Sequence, residues 1–237
     1  MLKREYYLKR IRPFYQENSL IKIIYGLRRA GKSVILNQIK DELLKDKTDE
    51  SHIIYINFES LDYSFIKNAI DLNNYIKQQI KDNKTYYIFL DEIQKVKDFE
   101  KGINSLRITN QCSIFITGSN SKMTFKELST DLTGRYVSFK VNPLSFSEAL
   151  EITNTNDYKE VLFDIFEWGS LPQRFSFKED ITKLNYISDV YDSIVLKDVV
   201  ERLGVKDITL FNKVWQYILE TEGREFSATN VLKYLKN

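Results

Sequence analysis

An α/β fold, with five parallel strands sandwiched by helices and a helical region to follow, is what this 237-residue sequence predicts. Three observations carry the prediction. Residues 21–33, IKIIYGLRRAGKS, pass from a β-branched apolar strand through Gly-x-x-x-x-Gly-Lys-Ser into a helix. Apolar runs of strand length then alternate with amphipathic helical stretches up to about residue 142. Beyond Pro143 only helical periodicity remains.

The elements follow in chain order. Lys3, Arg4, Lys9, Arg10 and Arg12 are expected on the wet face of an N-terminal helix, with Tyr6, Tyr7, Leu8 and Ile11 among them. One of those aromatics is a candidate to cover an adenine ring. Ile21, Ile23 and Ile24 read as a buried parallel strand, and a helix over about 32–46 places Ile35, Ile39 and Leu43 on one face. HIIYINF at 52–58 is the second strand, and Leu72, Tyr75, Ile76 and Ile80 mark another amphipathic helix. YYIFL at 86–90 is the third strand; Phe99, Ile103 and Leu106 face inward from the next helix. SIFIT at 113–117 and YVSFKV at 136–141 complete the strands.

After Pro143, Ser145-x-x-Glu148 forms a capping box for a helix near 146–152. Asp157 and Glu160 repeat the device for a helix that ends at Gly169, before Pro172. A long helix near 181–203 is expected to turn Leu184, Ile187, Tyr191 and Ile194 inward. Phe211, Val214 and Ile218 define the next helix, and Ser227 caps the last. The expected division is an α/β core over 1–142, a helical appendage over 143–207 and a further segment over 208–237.

The glycine loop is the first chemical signal. Gly26, Leu27, Arg28, Arg29, Ala30, Gly31, Lys32, Ser33 and Val34 make up the candidate nucleotide site. Gly26 and Gly31 remove side chains where backbone must curl around phosphates, and backbone N–H groups at the helix start face the anion. Lys32 is placed to reach the β- and γ-phosphates, and the Ser33 hydroxyl to ligate Mg²⁺. Arg28 and Arg29 either add positive potential there or point to solvent.

The second signal is the acidic pair Asp91–Glu92, which ends a buried strand on the rim where ligands of parallel sheets bind. Asp91 is expected to orient Mg²⁺ through water, and Glu92 to polarise an attacking water. A phosphotransferase gains nothing from activating water, so hydrolysis is the favoured chemistry. Thr117, Ser119 and Asn120 end the fourth strand, where they read either as a γ-phosphate sensor or as a polar turn. Arg135, before the fifth strand, reads either as an arginine finger or as a solvated strand-start residue.

Composition narrows the rest. A single cysteine, Cys112, excludes an internal disulfide, and a single histidine, His52, excludes multi-histidine and Cys/His metal sites. A reducing cytoplasm fits. No apolar stretch approaches membrane-spanning length, and the charged N-terminus lacks a secretory apolar segment. A net charge of +2 neither demands nor excludes nucleic acid.

YGLRRAGKS, IFLDEIQKV, FITGSNS, LTGRY followed by NPLSFSEAL, and WGSLP together resemble a prokaryotic family of AAA-like ATPases. Members of that family join an AAA-like core to a C-terminal domain of unknown function, and the similarity covers nearly all of residues 3–237. The resemblance implies ATP rather than GTP, Mg²⁺, and a sheet of order 5-1-4-3-2. It also implies catalytic roles for Lys32, Asp91 and Glu92, a sensor at Asn120 or Ser119, and more weight for Arg135. The family usually carries a double glycine where this chain reads Trp168-Gly169-Ser170. Members continue through a winged helix, whereas FSATNVLKYLKN stops within a helix at Asn237, as in a truncated chain or a short natural variant. A homo-oligomer, and a DNA or protein partner acting through residues beyond 207, are the partner expectations. The leading function is ATP hydrolysis driving a conformational change. The alternative is a nucleotide-gated regulator with slow turnover.

Overall fold

The structure, a computed structural model, describes residues 2–109, 111–119, 132–194, 199–200 and 204–235. Two compact units divide the chain, Met1–Lys183 and Leu184–Asn237.

In the first unit β1 (Ile21–Gly26), β2 (Ile53–Asn57), β3 (Tyr86–Asp91), β4 (Cys112–Ser119) and β5 (Tyr136–Val141) form one sheet. Every pairing is parallel, in the order β2-β3-β4-β1-β5. Read from the β5 edge this is 5-1-4-3-2, as expected. Side chains alternate along each strand, so a sheet covered on both faces needs two apolar layers. Tyr86, Ile88 and Leu90 of β3 enter one, with Leu72 and Ile76 of α3 (Ala69–Gln79) and Ile103 and Leu106 of α4 (Phe99–Thr109). Tyr87 and Phe89 enter the other, with Leu8 and Ile11 of α1 (Glu5–Ile11) and Ile35, Leu36, Ile39 and Leu43 of α2 (Lys32–Lys45).

Two basic residues depart from the expected polarity pattern. Arg4, expected in water beside Lys9 and Arg10, is 2% exposed, because partners from three distant segments satisfy its guanidinium. Lys22, within the apolar run of β1, is fully buried. Its ammonium donates to the Glu17 and Leu20 carbonyls and to Ser113 Oγ, and lies 4.7 Å from the Phe115 ring centroid. Burial pushes Lys22 down to about 7.

The helices that begin between Pro143 and Lys183 start in this first unit, and the last of them runs on into the second. Ser145 and Glu148 form the capping box of α5 (Phe146–Thr153). Asp157 accepts from the Lys159 and Glu160 amides at the start of α6 (Tyr158–Trp168). A 3₁₀ turn over Pro172–Ser176 follows, then α7 (Asp180–Ser193). On α7 the buried residue is Val190, while Leu184, expected inward, is 52% exposed. The face it was assigned to is offset from the face that packs. Residues 195–198 and 201–203 of the expected long helix lie outside the described residues.

In the second unit Asp207 caps α8 (Ile208–Glu220) through the Leu210 amide, 2.8 Å away. Tyr217 is buried against the rings of Phe226 and of Tyr234 in α9 (Ala228–Leu235). Ser227 Oγ accepts from the Asn230 amide at the start of α9, as its sequence position predicts. Among the described residues, no helix is long and apolar enough to cross a membrane.

Candidate nucleotide-binding site

The glycine loop joins β1 to α2 at the carboxyl edge of the sheet. Gly26 sits opposite Val141 of β5, and a Cβ there would lie 2.1 Å from the Val141 carbonyl oxygen. The sheet itself therefore demands this glycine, apart from any ligand. Gly31 has φ +95° and caps α2, so the loop turns into the helix through a backbone that side chains disfavour. Leu27 and Arg29 are exposed, Arg28 and Ser33 half-buried, and Ala30 and Lys32 buried. The loop folds around the Lys32 ammonium, which donates to the Leu27 carbonyl at 3.2 Å and the Gly26 carbonyl at 3.4 Å. One Glu92 carboxylate oxygen lies 3.9 Å from the same nitrogen.

Asp91 ends β3 almost fully buried. One of its oxygens accepts from the Tyr55 hydroxyl of β2 at 3.2 Å, and the other from the Thr117 hydroxyl of β4. Thr117 Oγ1 accepts in turn from the Glu92 amide at 3.0 Å. Neighbouring parallel strands thus fix the acid from both sides. Glu92 adopts φ +56°, a left-handed conformation rare for a side-chain-bearing residue. Its carboxylate also accepts from the Gln94 side-chain amide. The Tyr55 phenol is held well above its ordinary pKa, chiefly by burial and then by the adjacent Asp91 charge. It therefore stays protonated and continues to donate.

Beside the loop, Leu2, Arg4, Gly31, Val34, Leu144, Glu151, Ile152 and Pro172 line a mostly apolar cavity of about 450 Å³. Tyr6 and Tyr7, the expected aromatic covers, line a different and more polar cleft with Ser145 and Ser147. Arg135 lies elsewhere. Its carbonyl accepts from the Ile21 amide at the amino end of β1, and its guanidinium reaches Asn104 at 3.4 Å. Tyr136 and Val141 pair with Ile21 and Gly26. At the strand rise, Arg135 is thus about 16–20 Å from the glycine loop in the same chain. Asn120 lies outside the described residues.

A family model described as AAA domain matches residues 18–150, which contain the glycine loop, the acidic pair and all five strands. The chain belongs to the AAA domain family. An uncharacterized protein of Haemophilus influenzae is 35% identical over 236 residues, covering 98% of this chain and 58% of that protein. One from Methanocaldococcus jannaschii is 32% identical over 228 residues, covering 91% and 50%. The chain thus spans about half the length of the curated relatives it matches. Among solved structures, AMPPCP-bound DnaA from Aquifex aeolicus is similar, with 16% identity and a TM-score of 0.46. That likeness covers 98% of this chain and 76% of DnaA. The Aeropyrum pernix ORC1 protein in complex with DNA gives 13% identity and a TM-score of 0.42, covering 100% and 77%.

Sequence reading of this AAA domain singled out Lys32, Asp91 and Glu92 as candidates, and the structure places Lys32 3.9 Å from Glu92, the chain neighbour of Asp91. It missed Tyr55 and Gln94. Tyr55 reads as an ordinary β-strand aromatic, and only its place opposite Phe89, two residues before Asp91, carries a signal.

Proposed function

We propose that this AAA domain binds ATP with Mg²⁺ and hydrolyses it, using the free energy to change conformation. The observation that supports this most is the convergence of Lys32 and Glu92, 3.9 Å apart, on a rim where Asp91 is held by two hydroxyls. A mobile acid would lose orientation; two hydroxyls hold this one in place, and such preorganisation is how sites of this kind lower a barrier. The left-handed Glu92 backbone is the kind of strain that concentrates at functional positions.

In this reading the ATP phosphates lie along the loop amides from Gly26 to Val34, and Lys32 serves the β- and γ-phosphates as a point charge. The base and ribose enter the cavity of Leu2, Val34, Leu144, Ile152 and Pro172, whose 450 Å³ is within the usual range for small-ligand sites. Ser33 and Asp91 would hold Mg²⁺. Their hard oxygen donors suit it, and no cluster of three His, Cys, Asp or Glu occurs among the described residues. An ion with few protein ligands and several from phosphate and water is the Mg²⁺ pattern. When bound, it would neutralise charge on the phosphate oxygens. Glu92 takes a proton from the attacking water, and Gln94 orients its carboxylate while it does so.

Equilibrium binding tests the site. ATP with Mg²⁺ should bind more tightly than GTP, and Lys32→Ala should abolish tight binding while leaving thermal unfolding cooperative. Unchanged ATP affinity in Lys32→Ala would remove the loop from the account.

Arg135 favours an extension to assemblies. An arginine about 16–20 Å from the loop within its own chain serves catalysis only on a neighbouring subunit's nucleotide, so a head-to-tail homo-oligomer is proposed. The slow-turnover regulator, with a DNA or protein partner beyond residue 207, is the alternative. Phosphate release that rises on adding duplex DNA would favour it.

A further inference from the structure

Arg4 is among the most heavily bonded side chains of the first unit, and every bond crosses to another segment. Nη1 donates to the Ala30 carbonyl in the glycine loop at 3.0 Å. Nε and Nη2 grip the Glu148 carboxylate of α5 at 2.6 and 3.1 Å, and Nη2 also donates to the Asn142 carbonyl at 3.1 Å. The Tyr7 ring lies against the guanidinium, 4.8 Å from centroid to carbon. The Arg4 amide donates to Gln38 of α2 at 3.0 Å, which fixes the backbone at the base of the side chain.

The Ala30 bond has a consequence for the loop. Across a trans peptide the carbonyl of one residue and the N–H of the next point in opposite directions. No cis peptide occurs among the described residues. Holding the Ala30 carbonyl toward Arg4 therefore turns the Gly31 N–H away from Arg4. Gly31, at φ +95°, lacks the side chain that would otherwise oppose rotation of that plane. A flipped plane would present a carbonyl oxygen, and repulsion, where an anion-binding loop needs a donor.

We propose that Arg4 is a positioning residue for the phosphate site. It locks the Ala30–Gly31 peptide plane so that the Gly31 N–H faces the phosphates, and through Glu148 it ties that plane to α5. This role rests on the nucleotide reading above. Arg4 also lines the cavity given to the base and ribose, and the role proposed for it acts on the phosphates through Gly31. A movement of α5 that draws Glu148 away takes the guanidinium with it and releases the plane, so α5 controls phosphate affinity.

The test uses the full chain and ADP. Arg4→Met alone would leave the half-buried Glu148 carboxylate without its guanidinium partner, so the informative variant is Arg4→Met/Glu148→Met, which removes both charges together. It should fold, yet bind ADP about tenfold or more weakly, the worth of a lost charge-assisted hydrogen bond. Arg4→Lys, which retains a donor, should recover much of the affinity. ADP affinity in the double variant within about twofold of the unsubstituted chain would overturn the role of Arg4 alone. Absence of ADP binding by the unsubstituted chain would overturn the nucleotide reading and this role with it. A measurement without substitution covers the case in which the double variant does not fold. With ¹⁵N-glycine labelling, inorganic pyrophosphate should shift the Gly31 amide more than any other glycine, and an unmoved Gly31 resonance contradicts the proposal.

Discussion

Asp91 owes its position to two hydroxyls, and the more consequential is that of Thr117, which bonds both members of the acidic pair. Thr117→Val keeps the shape, removes the donor to Asp91 and leaves the Glu92 amide without its acceptor. A loss of about 1–3 kcal/mol in stability is expected from the stranded groups. Turnover should fall by about tenfold or more while ATP affinity changes little, because the substitution misplaces Glu92 and not the loop. Urea unfolding and steady-state kinetics would check both effects. Lys22 gives a pH signature. Its pKa is about 7 in the folded chain against an ordinary 10.5, so between those values the unfolded chain holds more protons. Stability therefore rises with pH across that window, and below pH 7 the full cost of burying the ammonium applies. Lys22→Met should flatten the slope of thermal midpoint against pH from 7 to 10; an unchanged slope would show that Lys22 does not titrate there. Lys32, Asp91 and Glu92, to which the proposal gives the chemistry, could be singled out in the sequence because each belongs to a local string. Arg4, Lys22 and Tyr55 were not, because their partners lie far off in sequence, Arg4 and Glu148 being 144 residues apart.

At the scale of elements, the contact of the glycine loop with β5 is the tightest constraint. A Cβ at Gly26 would overlap the Val141 carbonyl at 2.1 Å, and backbone on both sides leaves little room to yield. Gly26→Ala should cost about 3 kcal/mol or more, at the severe end for one substitution, measured by denaturant unfolding with an unchanged m-value. A cost below about 1 kcal/mol would mean that β5 slides easily. Caps and strands were readable from sequence because they depend on neighbours a few residues away. Ser145 with Glu148, Asp157 and Ser227 all cap as their spacing implies. The inner face of α7 was not readable. Apolar residues occur around much of its circumference, and tertiary packing buries Val190 and leaves Leu184 exposed.

For the whole molecule, family membership and the observed strand order agree, because alternating strands and helices admit few topologies once a glycine loop fixes β1 and α2. Assembly is less legible from one chain. Arg135 lies at the amino edge of the sheet and the glycine loop at the carboxyl edge, so catalysis by Arg135 requires a second subunit. Mixing Arg135→Ala with Lys32→Ala, each inactive alone, should restore ATPase activity in mixed assemblies. Full activity of Arg135→Ala by itself would end that extension and leave the site as it stands. The central claim, that Glu92 and the glycine loop hydrolyse ATP, is tested most directly by phosphate release at saturating ATP and Mg²⁺. The unsubstituted chain should turn over, and Glu92→Gln should bind ATP as tightly while release falls by about a hundredfold or more, the worth of a general base. Equal phosphate release by the unsubstituted chain and Glu92→Gln would contradict the account.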